Sequence, residues 1–164
     1  MTALARLEAR LLAFVRAALG LGLIAMVLLN VANAGSRYGG LPTLTGADEA
    51  LVYGMIWIVM LGAILAARGR EHLVIDLVPA ALGRRPAALV RLVTDAATAG
   101  LCGFVAYHSW AFVERIGALG STSMGLGIPM TWAHSAVLTG FAGMAAVAAG
   151  LVAADLATLA RGGE

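Results

Sequence analysis

Residues 47–67 read ADEALVYGMIWIVMLGAILAA. After Asp48 and Glu49 the run carries no charge until Arg68. An α-helix needs about 20 predominantly apolar residues to cross the hydrocarbon of a bilayer. Inside hydrocarbon the backbone must satisfy its own hydrogen bonds, so such a run is read as a membrane-spanning helix. The two acids at its head suit the positive end of the helix dipole. Thr45 stands three residues before Asp48, the spacing of a capping box, which predicts Thr45 as the cap. Three further apolar stretches flank this one, and the predicted spans are 11–34, 47–67, 86–112 and 129–159. Pro86 and Pro129 can each open a helix, because the first helical position has no N–H bond to lose.

Composition agrees with this division. Of 164 residues, 61% are hydrophobic and 12% charged; a soluble domain carries about 25% charged residues. The apolar stretches fill the length, so the expectation is a single all-α membrane domain over residues 1–164. The one cysteine, Cys102, lies within span three, which excludes a disulfide framework and a thiolate metal site. Its expected role is packing. Arg6, Arg10 and Arg16 precede an apolar run ending in Ala32-Asn33-Ala34, which is similar to a signal-peptidase site. The run exceeds the usual signal core of about 7–15 residues, and Asn30 and Asn33 interrupt its end. Both features favour an uncleaved first helix.

The basic residues are all arginines, eleven in number. With four spans the termini share a side. Arg6, Arg10, Arg16, Arg68, Arg70, Arg84, Arg85, Arg91 and Arg161 fall on that side, and Arg37 and Arg115 on the other. The positive-inside rule therefore predicts a multi-pass inner-membrane protein with cytoplasmic termini and outward-facing loops at 35–46 and 116–128. The connector between spans two and three is amphipathic. Leu73, Val74, Leu77, Val78, Ala81 and Leu82 share one helical face, and His72, Asp76, Pro79 and Gly83 the other. This predicts a short helix over 72–83 lying in the membrane interface. A plain connector with shielded leucines is the alternative.

No catalytic constellation appears, and no metal ligand set, cofactor or nucleic-acid partner is expected. The glycine-rich stretch Gly117–Gly127 lacks the Lys-Ser/Thr ending of a phosphate loop and reads as a flexible outer loop. Asp95 lies about 13 Å along its helix from Pro86, and an intramembrane carboxylate is a functional candidate by default. Arg91 stands one turn before it, and the expected role of the two is a structural ion pair. His108 and His134 fall at matching depth in spans three and four and could ligate a haem, as in a cytochrome b-type membrane anchor. Trp110 and Trp132 close by fit an interfacial aromatic belt instead. Ala142, Ala146, Gly150 and Ala154 form a small-residue stripe on span four, and Ala96, Gly100 and Gly103 a second on span three. Such stripes admit close helix approach, within a bundle or to a partner. A self-sufficient small exporter would need an unpaired acid within an early span, and the interiors of spans one and two contain none.

Several motifs together resemble a known family. These are Asn30 and Arg37-Tyr38 ending span one, Asp48-Glu49 opening span two, and Trp57 and Gly62-Ala63 within it. Next come Ala66-Ala67-Arg68-Gly69-Arg70-Glu71-His72-Leu73-Val74-Ile75-Asp76-Leu77 and the outer stretch Ser121-Thr122-Ser123-Met124-Gly125-Leu126-Gly127-Ile128-Pro129. Their order resembles the DctQ-type small membrane subunit of tripartite ATP-independent periplasmic (TRAP) transporters. The family's frequent Trp-x-x-Glu at the head of span two is not matched, since Leu44 to Ala47 contains no Trp. The resemblance implies a non-enzymatic permease subunit without a cofactor. It implies a large DctM-type partner that couples sodium to uptake of a carboxylate-type solute, and a periplasmic substrate-binding protein. Surrounding membrane lipids are a further expected contact. It also implies that Arg37, Tyr38, Asp48, Glu49, Trp57, Arg68, His72, Leu73, Asp76 and Leu77 serve partner or scaffold contacts.

Overall fold

A computed structural model describes residues 3–40, 42, 44–69 and 84–161. The architecture is all-α, with four helices: α1 (Ala3–Tyr38), α2 (Ala47–Arg68), α3 (Arg84–Leu119) and α4 (Met130–Arg161). Each is long and apolar enough to cross a membrane. The proposed interfacial helix at 72–83, with His72, Leu73, Asp76 and Leu77, lies outside the described residues.

The helices outrun the predicted spans where water can solvate their ends. α1 and α3 have 36 residues each, about 54 Å at 1.5 Å per residue against a hydrocarbon core of about 30 Å. α3 continues past Glu114 and Arg115 to Leu119, so the loop expected from 116 begins only at Gly120. Pro86 falls in the first turn of α3, where a missing N–H costs no helical bond. The capping box expected at α2 is not formed. Its N-cap is Gly46, in the left-handed conformation (φ +83°) and without a side-chain cap. The Ala47 N–H instead donates to the Leu44 carbonyl at 3.1 Å.

Packing makes a row, not the closed bundle that four spans suggest. Among the described residues α1 packs on α2, α2 on α4, and α4 on α3, with no further helix pair in contact. α1 shows why one neighbour suffices. Leu12, Val15, Leu19, Gly22, Met26 and Leu29 are half-buried and Asn33 and Ser36 are buried, alternating in steps of three and four. That is the narrow seam of a helix with one partner. Gly22 faces Ile58 and Gly54 faces Met26, at 3.3 and 3.2 Å from where a Cβ would stand.

α2 and α4 approach through glycine. A Cβ on Gly140 would stand 2.5 Å from Met60 Sδ and 2.8 Å from Met60 Cβ, and one on Gly143 would overlap Ile64 Cδ1. Beneath this contact Ala67 of α2, Cys102 of α3 and Met144 of α4 form a buried cluster. Cys102 is thus a free, buried packing residue. The stripes singled out from sequence do not make these contacts. Ala142, Ala146, Gly150, Ala154, Ala96 and Gly100 are exposed, and Gly103 is half-buried with open space at its Cβ position.

Gly140→Leu should therefore loosen the α2–α4 pair, at the ~1–3 kcal/mol typical of overpacking. Gly150→Leu, at a position where an added Cβ meets nothing within 4 Å, should leave it intact. Unfolding of the purified protein in mild detergent titrated with a denaturing one checks both: an early transition is expected for the first variant only.

Candidate functional site

Asn33, Ser36, Arg37, Asp48 and Glu49 gather their hydrogen bonds at one end of the row, where α1 ends and α2 and α4 begin. Asn33 is 4% exposed on the α1 seam, and its Nδ2 donates to Asp48 Oδ1 at 2.8 Å. The Arg37 guanidinium donates to Asp48 Oδ2 in an exposed ion pair. Ser36 Oγ donates to the Asn33 carbonyl at 2.9 Å. Asp48 thus ties the last turns of α1 to the first turn of α2. The sequence marked Asp48 as the acid of a capping box and a family-like residue, but its partner Asn33 registered only within the signal-peptidase-like Ala32-Asn33-Ala34 and as an interruption of an apolar run.

Glu49, the next residue, serves a different element. Its Oε1 accepts the Gly125 N–H and its Oε2 the Leu126 N–H, each at 2.9 Å. Two consecutive backbone amides facing one carboxylate form an anion-binding nest. The approach depends on glycine on both sides. A Cβ on Gly125 would stand 3.0 Å from Gly46 Cα and 3.1 Å from Glu49 Oε2. One on Gly46 would meet Leu126 Cδ2 at 2.6 Å, at a φ that already favours glycine. The loop expected to be flexible is therefore clasped. Ser123 N–H donates to the Ile128 carbonyl at 2.9 Å, and Thr122 and Pro129 form an antiparallel bridge.

Trp57 of α2 stacks on Trp132 of α4, with centroids 5.6 Å apart and planes tilted by 46°. Tyr38, at the end of α1, is 93% exposed. Arg68 ends α2 and lines a groove with Ala146, Val147, Gly150 and Leu151 of α4. The candidate contacts thus divide by position. Arg37, Tyr38, Asp48 and Glu49 share one end, Trp57 lies inside the row, and Arg68 stands at the other end. Arg91 and Asp95 lie one turn apart on α3, exposed and half-buried respectively, the spacing that the proposed ion pair needs. His108 and His134 line a groove between α3 and α4 with Ser109, Phe112 and Val137. Phe104 meets the His108 ring edge-on at 4.4 Å, and Phe112 the His134 ring at 4.9 Å. Among the described residues, no group of three or more His, Cys, Asp or Glu could hold a metal ion.

The two acids predict different losses. Glu49→Ala should release the loop, with hydrogen exchange of the Gly125 and Leu126 amides rising about tenfold as their acceptor is lost. Arg37→Ala removes an exposed pair and should cost less than about 1 kcal/mol. Asp48→Ala also strands the buried Asn33 amide and should cost about 1–3 kcal/mol. Unfolding midpoints in detergent rank these last two, and equal losses would contradict the role given to Asn33.

Comparison with known proteins places this geometry. No curated protein matches the chain. Residues 23–158 match the family described as "Tripartite ATP-independent periplasmic transporters, DctQ component". The matched region runs from within α1 to near the end of α4, so it takes in the clasp, the nest and both central helices. That family is a transporter component, not an enzyme family, and the match favours it over a cytochrome-type anchor. The chain is a multi-pass membrane protein that belongs to the DctQ family of TRAP transporter small permease subunits.

Proposed function

We propose that this chain braces a large DctM-type subunit and helps receive a periplasmic binding protein, while the large subunit carries a carboxylate-type solute with sodium. The observation that carries the bracing role is the open row of helices. α1 and α3 each have one helical neighbour among the described residues, and the small-residue stripe of α4 is exposed, with no helix of the described residues packed closely over it. In lipid, such a stripe favours a second helix that packs closely by van der Waals contact. The amphipathic pattern of 72–83 is suited to extend the brace along the interface, since its sequence sets Leu73 and Leu77 on the opposite helical face from His72 and Asp76. Arg68 and Arg70 beside it attract anionic headgroups by about 1 kcal/mol each. The protein sits in the bacterial inner membrane with both termini in the cytoplasm, so the Asp48 clasp and the Glu49 nest face the periplasm.

Two measurements test this. Cells supplying the large subunit and the binding protein should accumulate solute only when this chain is present, and the chain should co-purify with the large subunit in mild detergent. Uptake without the chain would refute the bracing role. For orientation, cysteines placed at Thr45 and Thr122, with Cys102 replaced by Ala, should react with an impermeant maleimide on intact spheroplasts. Reaction only after lysis would invert the topology.

A further inference from the structure

Residues 120–129 carry no charged side chain, yet the stretch is densely tied. Gly127 N–H donates to the Ser123 carbonyl at 3.2 Å, and Met130 N–H to the Ser121 carbonyl at 3.0 Å. These bonds add to the Ser123–Ile128 bond, the Thr122–Pro129 bridge and the two amides held by Glu49. Burial then changes sharply at one step of the tip, from Ser123 to Met124. Ser123 is 7% exposed and Met124 101%, while Leu126, 41% exposed, rests one side against Gly46. A thioether side chain is held in the open by a frame that turns its neighbour inward. Fixed presentation lowers the ordering cost of binding. Methionine, unbranched and polarizable, adapts to an irregular partner surface.

We propose that Met124 is a docking contact of this subunit for the transporter's periplasmic binding protein, seating in an apolar depression of that protein. The proposal rests on the small-subunit reading above and gives its docking role a residue. A soluble protein fits the tip better than a lipid surface does. The loop has no Lys, Arg, Trp or Tyr, the residues that hold a segment among headgroups. The Glu49 carboxylate bonded beneath the tip repels phosphate. A lipid surface also has no use for a clasped geometry, whereas a protein partner does. One apolar contact on a small footprint suits an encounter that must release after each delivery.

The test uses the three-component transporter in proteoliposomes, with the binding protein titrated from outside. Met124→Glu should raise the half-saturating concentration of binding protein about tenfold, as loss of a central apolar contact does. Uptake at saturation and co-purification of the large subunit should stay as in the unaltered transporter. A second arm places an environment-sensitive fluorophore on Met124→Cys, with Cys102→Ala, in nanodiscs of phosphatidylethanolamine and phosphatidylglycerol. A blue shift only on adding the binding protein supports the contact. A probe already shielded in nanodiscs alone assigns the tip to lipid and overturns it. Uptake that needs this chain but shows an unaltered half-saturation with Met124→Glu also overturns it, leaving the small-subunit role standing. Uptake without the chain removes that role and the proposal together.

Discussion

Hydrocarbon gives one apolar helix face no reason to leave lipid for another, so helix association in a membrane depends on fit and on polar bonds. The α2–α4 contact supplies the fit. Gly140 and Gly143 let the backbone of α4 reach Met60 and Ile64 of α2. Each outer helix hangs on one member of this pair: α1 on α2, and α3 on α4. α4, with neighbours on two sides, buries Ala133, Ala136, Met144 and Ala148 along its span, whereas α1, with one neighbour, buries Asn33 and Ser36 near its end. Side chains at Gly140 and Gly143 would therefore disturb more than one pair, because they sit at the tightest joint between the two halves of the row among the described residues.

How much of this the sequence announces depends on how local the determinant is. The four helices are legible because length and hydropathy belong to each segment alone, and the starts of α2 and α4 fall within a residue of expectation. Helix ends in water are less legible, because nothing local forces α3 to stop at Glu114 when water solvates its polar groups. The capping box at Thr45 fails for a non-local reason. Asp48 has a better use across the α1–α2 interface, with Asn33 and Arg37, and Gly46 must stay bare to admit Leu126. The Glu49 nest spans 76 residues of sequence. Its one local trace is a glycine-rich loop lacking a phosphate motif, and that trace reads as flexibility.

The small-residue stripes show a different limit. Spacing identifies a helix face that admits close approach but not what approaches it. Within this chain the close approaches fall at Gly22, Gly54, Gly140 and Gly143, none of which belongs to the stripes on α3 and α4. Ala142, Ala146, Gly150 and Ala154 are exposed, two of them beside the groove that Arg68 lines. A small-residue face left exposed among the described residues suits a subunit of a larger membrane complex, and the matched family is a component of the tripartite transporters.

The first turn of α2 carries the remaining argument. Asp48 and Glu49 are adjacent, and successive residues on a helix point about 100° apart. One carboxylate therefore reaches back to α1 while the other reaches the loop that joins α3 to α4. α1 touches neither α3 nor α4 among the described residues, so at this end the two halves of the row are joined through one helical turn. A change in the tilt of α2 must then move the end of α1 and the 120–129 loop together. The glycine contacts with α4 oppose such a tilt along the span, and the two carboxylates oppose it at the end. On the bracing role proposed above, this resistance is what the subunit would contribute at both levels, and two consecutive acids, one of them facing glycine across the loop, supply its polar part.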